Sequence, residues 1–260
     1  MLKIYILSLM VLTGLTSQAQ MKIAIPEIGV VQELENDSLL VECGFRYLVE
    51  STPKILSPRN VSDQDFQDQL QTIKNLQTPL YACNLFIPGD LKAVGPNVDE
   101  KAVLDFVEIV LRRAQAAGLT LITWGSGGSR RVPEGFSRVK AKEQFIELAR
   151  KVAEIAERYN IILALENLNS TECNFINTLK EALAVVKSVD HKNFRLCVDI
   201  YHMLKEEESP DAIAGTKGYA VYCELAEKDG RTPPGVKGDD FIPYLTALKK
   251  DGYQGKIVIE

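Results

Sequence analysis

Short apolar runs that stop at an acid are the feature that most restricts how this sequence can fold. Ile161-Ile162-Leu163-Ala164-Leu165 is followed by Glu166, Phe194-Arg195-Leu196-Cys197-Val198 by Asp199, and Lys256-Ile257-Val258-Ile259 by Glu260. Runs of this length without polar alternation read as parallel strands buried on both faces. A carboxylate directly after such a strand lies at its carboxyl end. Three such ends, separated by helical segments, gather acids at one mouth of a ring of strands.

Five further runs bring the expected strands to eight: Lys22–Ile25, Tyr47–Glu50, Leu80–Phe86, Thr120–Trp124 and Ala220–Leu225, beside Ile161–Glu166, Phe194–Asp199 and Lys256–Glu260. Helical stripes lie between them. Val103, Phe106, Val107, Val110, Leu111 and Ala114 recur at helical spacing, with Asn97 as the expected cap, Glu100 three residues on and Gly118 as the stop. Phe145, Leu148, Ala149, Val152, Ile155, Ala156 and Tyr159 make a second stripe, and Leu179, Leu183 and Val186 a third. The expected fold is α/β, a (β/α)8 TIM barrel. A doubly wound sheet requires a glycine-rich phosphate loop after the first strand, and Ile25-Pro26-Glu27-Ile28-Gly29 is not one. The sequence stops at its last strand, so the barrel is expected to lack its last helix, with a partner, an amino-terminal segment or further chain over strands 1 and 8.

Residues 1–20 have the pattern of a signal peptide: Lys3, then an apolar core from Ile4 to Leu15, then Ser17-Gln18-Ala19 as a small-residue cleavage site. A periplasmic or secreted location is expected, with residues 21–260 as one barrel domain. If Met21 is the start, the protein is cytoplasmic. The apolar core is too short for a membrane span. The five cysteines show no metal-ligand spacing, and Cys83, Cys197 and Cys223 fall in strands as buried thiols. A formal charge of −5 without a basic stripe argues against nucleic acid.

Four stretches resemble the sugar phosphate isomerase/epimerase superfamily, with its xylose isomerase-like barrel. They are ALENLNSTECNFINT (164–178), CVDIYHMLKEE (197–207), AEKDGRTPPG (226–235) and GYQGKIVIE (252–260); GSGGSRRVPEGFSR (125–138) matches a further block. Ketose 3-epimerases and hydroxypyruvate isomerases are the nearest functional types. The resemblance implies a small-molecule sugar or hydroxy-carbonyl substrate and a divalent cation, Mn, Mg or Co. It assigns the metal to Glu166, Asp199 and Glu260 together with a histidine of a His-x-His pattern. Tyr222-Cys223-Glu224 occupies that pattern here, which leaves Glu224 to ligate through oxygen. It also implies substrate contacts from Glu172, His202 and Arg231. A homo-oligomer is compatible with the pattern.

The residue types carry the same chemistry. Moving a proton on a carbon beside a carbonyl requires a base and a conjugate acid, and Glu166 and Glu260 can flank that carbon. Asn84, closing the third strand, can donate to a sugar hydroxyl. Trp124 can wall a sugar ring or pack the barrel mouth. The glycines after Trp124, with Arg130 and Arg131, can face an anion. Two other outcomes share this site: a non-catalytic sugar-binding barrel, in which the loss of the ligand histidine ended catalysis, and a dehydratase or lyase, in which the same proton abstraction leads to elimination. A metallonuclease would require a histidine-rich cluster, and the sequence has two histidines.

Overall fold

The computed structural model describes residues 27–260. Eight parallel strands close into a barrel in chain order. They are β1 (Ile28–Val31), β2 (Tyr47–Ser51), β3 (Leu80–Asn84), β4 (Leu121–Trp124), β5 (Ile162–Glu166), β6 (Phe194–Asp199), β7 (Ala220–Leu225) and β8 (Lys256–Ile259). Closure is set by the pairing of Gly29 with both Tyr47 and Val258. Seven of the eight expected strands therefore stand within a few residues of their expected bounds. The first does not: β1 begins at Ile28, whereas Lys22–Ile25 and the leader reading of residues 1–20 lie outside the described residues. Gly29 explains why β1 is hard to read. A Cβ there would sit 2.2 Å from the Tyr47 ring, so the strand gives up an apolar side chain to admit a large neighbour.

Helices α1 (Asp37–Glu42), α2 (Thr52–Ile55), α3 (Asp63–Asn75), α4 (Glu100–Ala116), α5 (Gly127–Arg130), α6 (Arg138–Arg158), α7 (Leu179–Val189), α8 (Ile200–Lys205) and α9 (Ile242–Lys250) surround the strands. The long ones bury the expected stripes: Val103, Phe106, Val107 and Val110 of α4, and Phe145, Leu148, Ala149 and Val152 of α6. The cap of α4 is Asp99, whose side chain accepts from the Ala102 N–H, and not Asn97. The acid lies one residue before the helix, where its oxygen meets the third free N–H. β8 is the last element described, and Val30 and Ile257 on the outside of β1 and β8 are only partly buried.

Alternation along each strand divides the side chains between two cores. Outward residues pack under the helices, while Tyr47, Val49, Ala82, Leu121, Ala164, Cys197, Tyr222 and Val258 fill the barrel. At the amino-terminal end of the strands the Tyr47 and Tyr81 rings lie 5.3 Å apart, and Lys256 Nζ sits over both. This filling closes the amino-terminal end, and four inward acids gather at the opposite, carboxyl end.

Candidate active site at the carboxyl ends of the strands

Two residues past the interior Ala164, Cys197, Tyr222 and Val258 stand Glu166, Asp199, Glu224 and Glu260, so the period of two sends all four acids inward at one level. One oxygen from each lies within 4.8 Å of the others. The pairing of Asp199 with Glu224 puts these two side by side across β6 and β7. Asp199 and Glu224 are buried to 0% and 1% exposure. Asp199 Oδ2 and Glu224 Oε1 have no hydrogen-bond partner. Orphaned buried carboxylate oxygens are costly, and four converging on one point are the donor set a divalent cation takes. The residues fit such an ion.

The electrostatics are those of crowded acids. Burial, with the Glu166 and Glu260 carboxylates, raises the Asp199 carboxyl to about 7 against the pull of His202. Burial also lifts Glu224 well above the carboxylate range, reinforced by Glu260, Glu166 and Asp199. Glu260 rises through burial and Glu166, offset by Arg231, whose Nη2 it accepts from. Cys197, in the layer below, donates to Glu224 Oε2 at 3.3 Å.

His202 lies in the first turn of α8 and is fully buried. Its backbone N–H donates to Asp199 Oδ1, which caps that helix. Its Nδ1 accepts from the Asn169 backbone N–H at 3.0 Å and faces the Asn169 amide nitrogen at 2.8 Å. Burial disfavours the charged ring while Asp199 and Glu166 favour it. With N–H groups aimed at Nδ1, the ring is held as the Nε2–H tautomer. Nε2 stands 3.2 Å from Glu166 Oε1 and makes no aligned hydrogen bond.

A cavity of about 330 Å³ opens above the acids, lined among others by Asn84, Glu166, Glu172, Arg231 and Glu260. Glu172 accepts from the Asn169 amide at 3.0 Å, and its Oε1 lies 3.5 Å from Arg231 Nη1. Arg231 stacks over the Tyr201 ring at 4.5 Å. Asn84 is buried with its Oδ1 unpartnered. A wider cleft of about 770 Å³, lined by Glu33, Glu50, Lys54 and Asp65, lies apart from these residues. None of the four converging acids reaches it.

Two expectations from the glycine-rich stretch are corrected. Trp124 is an outward residue of β4, fully buried among Phe86, Phe145 and Phe194, and walls no cavity at the mouth. Arg130 is fully buried and donates to the Trp124 and Glu166 carbonyls, so it clamps two strand ends and faces no anion. Arg131 donates to the Glu172 carbonyl. The five cysteines are free thiols, with Cys43 exposed and the others buried.

Sequence reasoning passed over Asn169 and Glu227, which shape the site, and read Gly125 only for its backbone N–H. Gly125 leaves the space into which Glu166 extends. Asn169 ties His202 to Glu172. Glu227 anchors the loop that carries Arg231, its carboxylate accepting from Thr232 Oγ1 and from the N–H groups of Gly235, Lys237 and Gly238. A glycine directly after a strand and an asparagine three residues past a strand-end acid were the available signals.

A family model described as the xylose isomerase-like TIM barrel matches residues 38–260. Among characterised relatives, a D-psicose 3-epimerase of Ruminiclostridium cellulolyticum is 35% identical over 122 residues, 45% of this chain and 40% of that protein. A ketose 3-epimerase of Arthrobacter globiformis is 32% identical over 111 residues, 42% of this chain and 38% of that protein. These alignments span less than half of either relative's length. The crystal structure of a D-psicose 3-epimerase with D-tagatose from Clostridium cellulolyticum H10 superposes with a TM-score of 0.78 at 23% identity. It covers 90% of this chain and 84% of that one, a likeness that speaks for the fold.

Proposed function

Because the chain belongs to the xylose isomerase-like TIM barrel family, we propose that it is a divalent-metal-dependent isomerase or epimerase of a small sugar or related hydroxy-carbonyl compound. The observation that carries this reading is the convergence of Glu166, Asp199, Glu224 and Glu260, with orphaned oxygens, under a cavity of sugar size. The relatives named as ketose epimerases support the reaction class.

In this reading the four acids hold the ion, and when bound it supplies polarisation of a substrate carbonyl. Glu166 removes the proton from the carbon beside that carbonyl, and Glu260 returns one. Two features favour a division of labour between them. Arg231 donates to Glu260 and steadies its charge. Glu166 has its backbone carbonyl fixed by Arg130 and its side chain beside the Nε2–H of His202. Asn84 presents a polar group to substrate oxygens, His202 lies behind Glu166 with Nε2 toward its carboxylate, and Arg231 with Glu172 closes the side of the cavity.

The test is incorporation of solvent deuterium at the carbon beside the carbonyl, across a panel of ketoses and hydroxy-carbonyl acids, with the metal-loaded chain. Exchange is expected for at least one compound. It should fall by roughly 10²–10⁴-fold in Glu166→Gln and Glu260→Gln. Binding of sugars without any exchange would assign the chain to the non-catalytic barrels, and elimination of water would assign it to the lyases.

A further inference from the structure

The reading above leaves the cation unspecified. The donors that converge are all oxygen: the grouping that holds Glu166, Asp199, Glu224 and Glu260 contains no nitrogen or sulfur atom. The nearby softer donors stand outside that grouping. Cys197 Sγ lies 3.3 Å from Glu224 Oε2 and acts as a donor to it from within the barrel core. His202 joins Glu166 and Asp199 in a separate grouping without Glu224 and Glu260; its Nδ1 accepts from the Asn169 N–H, so the Nε2 that faces the acids, 3.2 Å from Glu166 Oε1, carries the hydrogen and offers no lone pair to an ion. Tyr222, two residues before Glu224 and also inward, is fully buried and its hydroxyl has no partner. It adds one more oxygen below the cluster and no nitrogen.

We infer that the barrel mouth is a hard-cation site: Glu224 completes an all-carboxylate cage that takes Mn2+ or Mg2+ with little of the preference for Co2+ and Zn2+ that an imidazole or thiolate ligand brings. Carboxylate oxygens suit Mg, Ca and Mn, whereas imidazole suits Zn and its neighbours in the first transition row. The inference rests on the proposed metal centre and concerns only its donor set. Four carboxylates also place a formal charge of −4 around a +2 ion, which favours ions that bind chiefly through charge over those that bind through covalency.

The test is direct binding to the chelator-stripped chain. Affinities for Mn2+, Mg2+, Co2+ and Zn2+ are measured by calorimetry and competition dialysis in the parent and in Glu224→His. The parent is expected to bind one Mn2+ per chain, and the ratio of Co2+ to Mn2+ affinity is expected to rise by about tenfold or more in the variant. An unchanged ratio in a folded variant that still binds metal would overturn the inference. Electron spin-echo modulation of the Mn2+-loaded parent gives a readout independent of that variant. No imidazole nitrogen coupling is expected, and a coordinated nitrogen would remove the all-oxygen cage while leaving the isomerase reading in place. Failure of the parent to bind any divalent ion would remove both. Metal binding with no exchange in the deuterium assay would remove the isomerase reading and leave the cage standing.

Discussion

Gly125 stands one residue past β4, opposite Glu166. A Cβ added there would lie 2.3 Å from Glu166 Oε2. The clashing atom is the free end of a flexible side chain, so the backbone has no need to move and stability should change little. The carboxylate, however, must leave its present position among the four acids. A displacement near 1 Å at a reacting group costs about 10²-fold. Gly125→Ala is therefore expected to lower the rate of proton exchange by at least tenfold and to weaken metal binding, with a thermal midpoint within a few degrees of the parent. Calorimetric titration beside a melting curve checks this, and a variant with parental rate and affinity would show that Glu166 has other room. Glu166, Asp199 and Glu260 were legible as strand-end residues because a strand's period of two leaves a residue two past a buried interior position no choice of face; Glu224 came only from the resemblance, at the place of an expected histidine. Gly125 was not legible, because the sequence shows a side chain's presence far better than the use of its absence.

At the level of elements, most strands could be read because an apolar run flanked by helical stripes has few alternative fates. β1 could not be read, since its glycine serves the Tyr47 ring and not its own core. Trp124 illustrates the other failure: a large aromatic at a strand's end reads equally well for either face, and the pairing of Trp124 with Leu165 puts it outside. The loop after β7 is the element whose role is least visible in its composition. Glu227 is buried, and the hydrogen bonds from Gly238, Thr232, Lys237 and Gly235 outweigh burial and hold its carboxyl at about 2. Those bonds fold the chain back so that Arg231, at a φ of 51°, reaches Glu260 and Glu172. Glu227→Gln replaces one acceptor oxygen by a donor facing N–H groups. Hydrogen exchange should then accelerate across residues 227–238 while the strands keep their protection, and KM should rise more than kcat falls. Uniform acceleration over the barrel, or none in the loop, would show that Glu227 does not anchor Arg231.

For the molecule as a whole, the acid cluster makes stability and metal affinity respond oppositely to pH. Asp199 has a folded carboxyl at about 7, far above its unfolded value of about 3.9, and Glu224 and Glu260 are also raised. The folded, metal-free chain thus binds protons that the unfolded chain releases. The stability from this source is complete below the unfolded carboxylate range and is lost as pH rises through the folded values. Glu227 has the opposite sign, but its folded value of about 2 places its effect below the range at issue. The chelated chain is expected to melt at a lower temperature at pH 8 than at pH 5. A loss of only about 2 kcal/mol would lower the midpoint of a chain this size by roughly 4–8 °C. Saturating Mn2+ should reverse the slope, because the ligands bind the ion deprotonated and the ion stabilises only the folded state. The protection it gives should therefore grow from pH 5 to pH 8. Melting curves at several pH values, with chelator and with Mn2+, decide the matter. A chelated midpoint that rises with pH would mean that Asp199, Glu224 and Glu260 are not held together as acids, and a Mn2+ effect independent of pH would place the ion away from them.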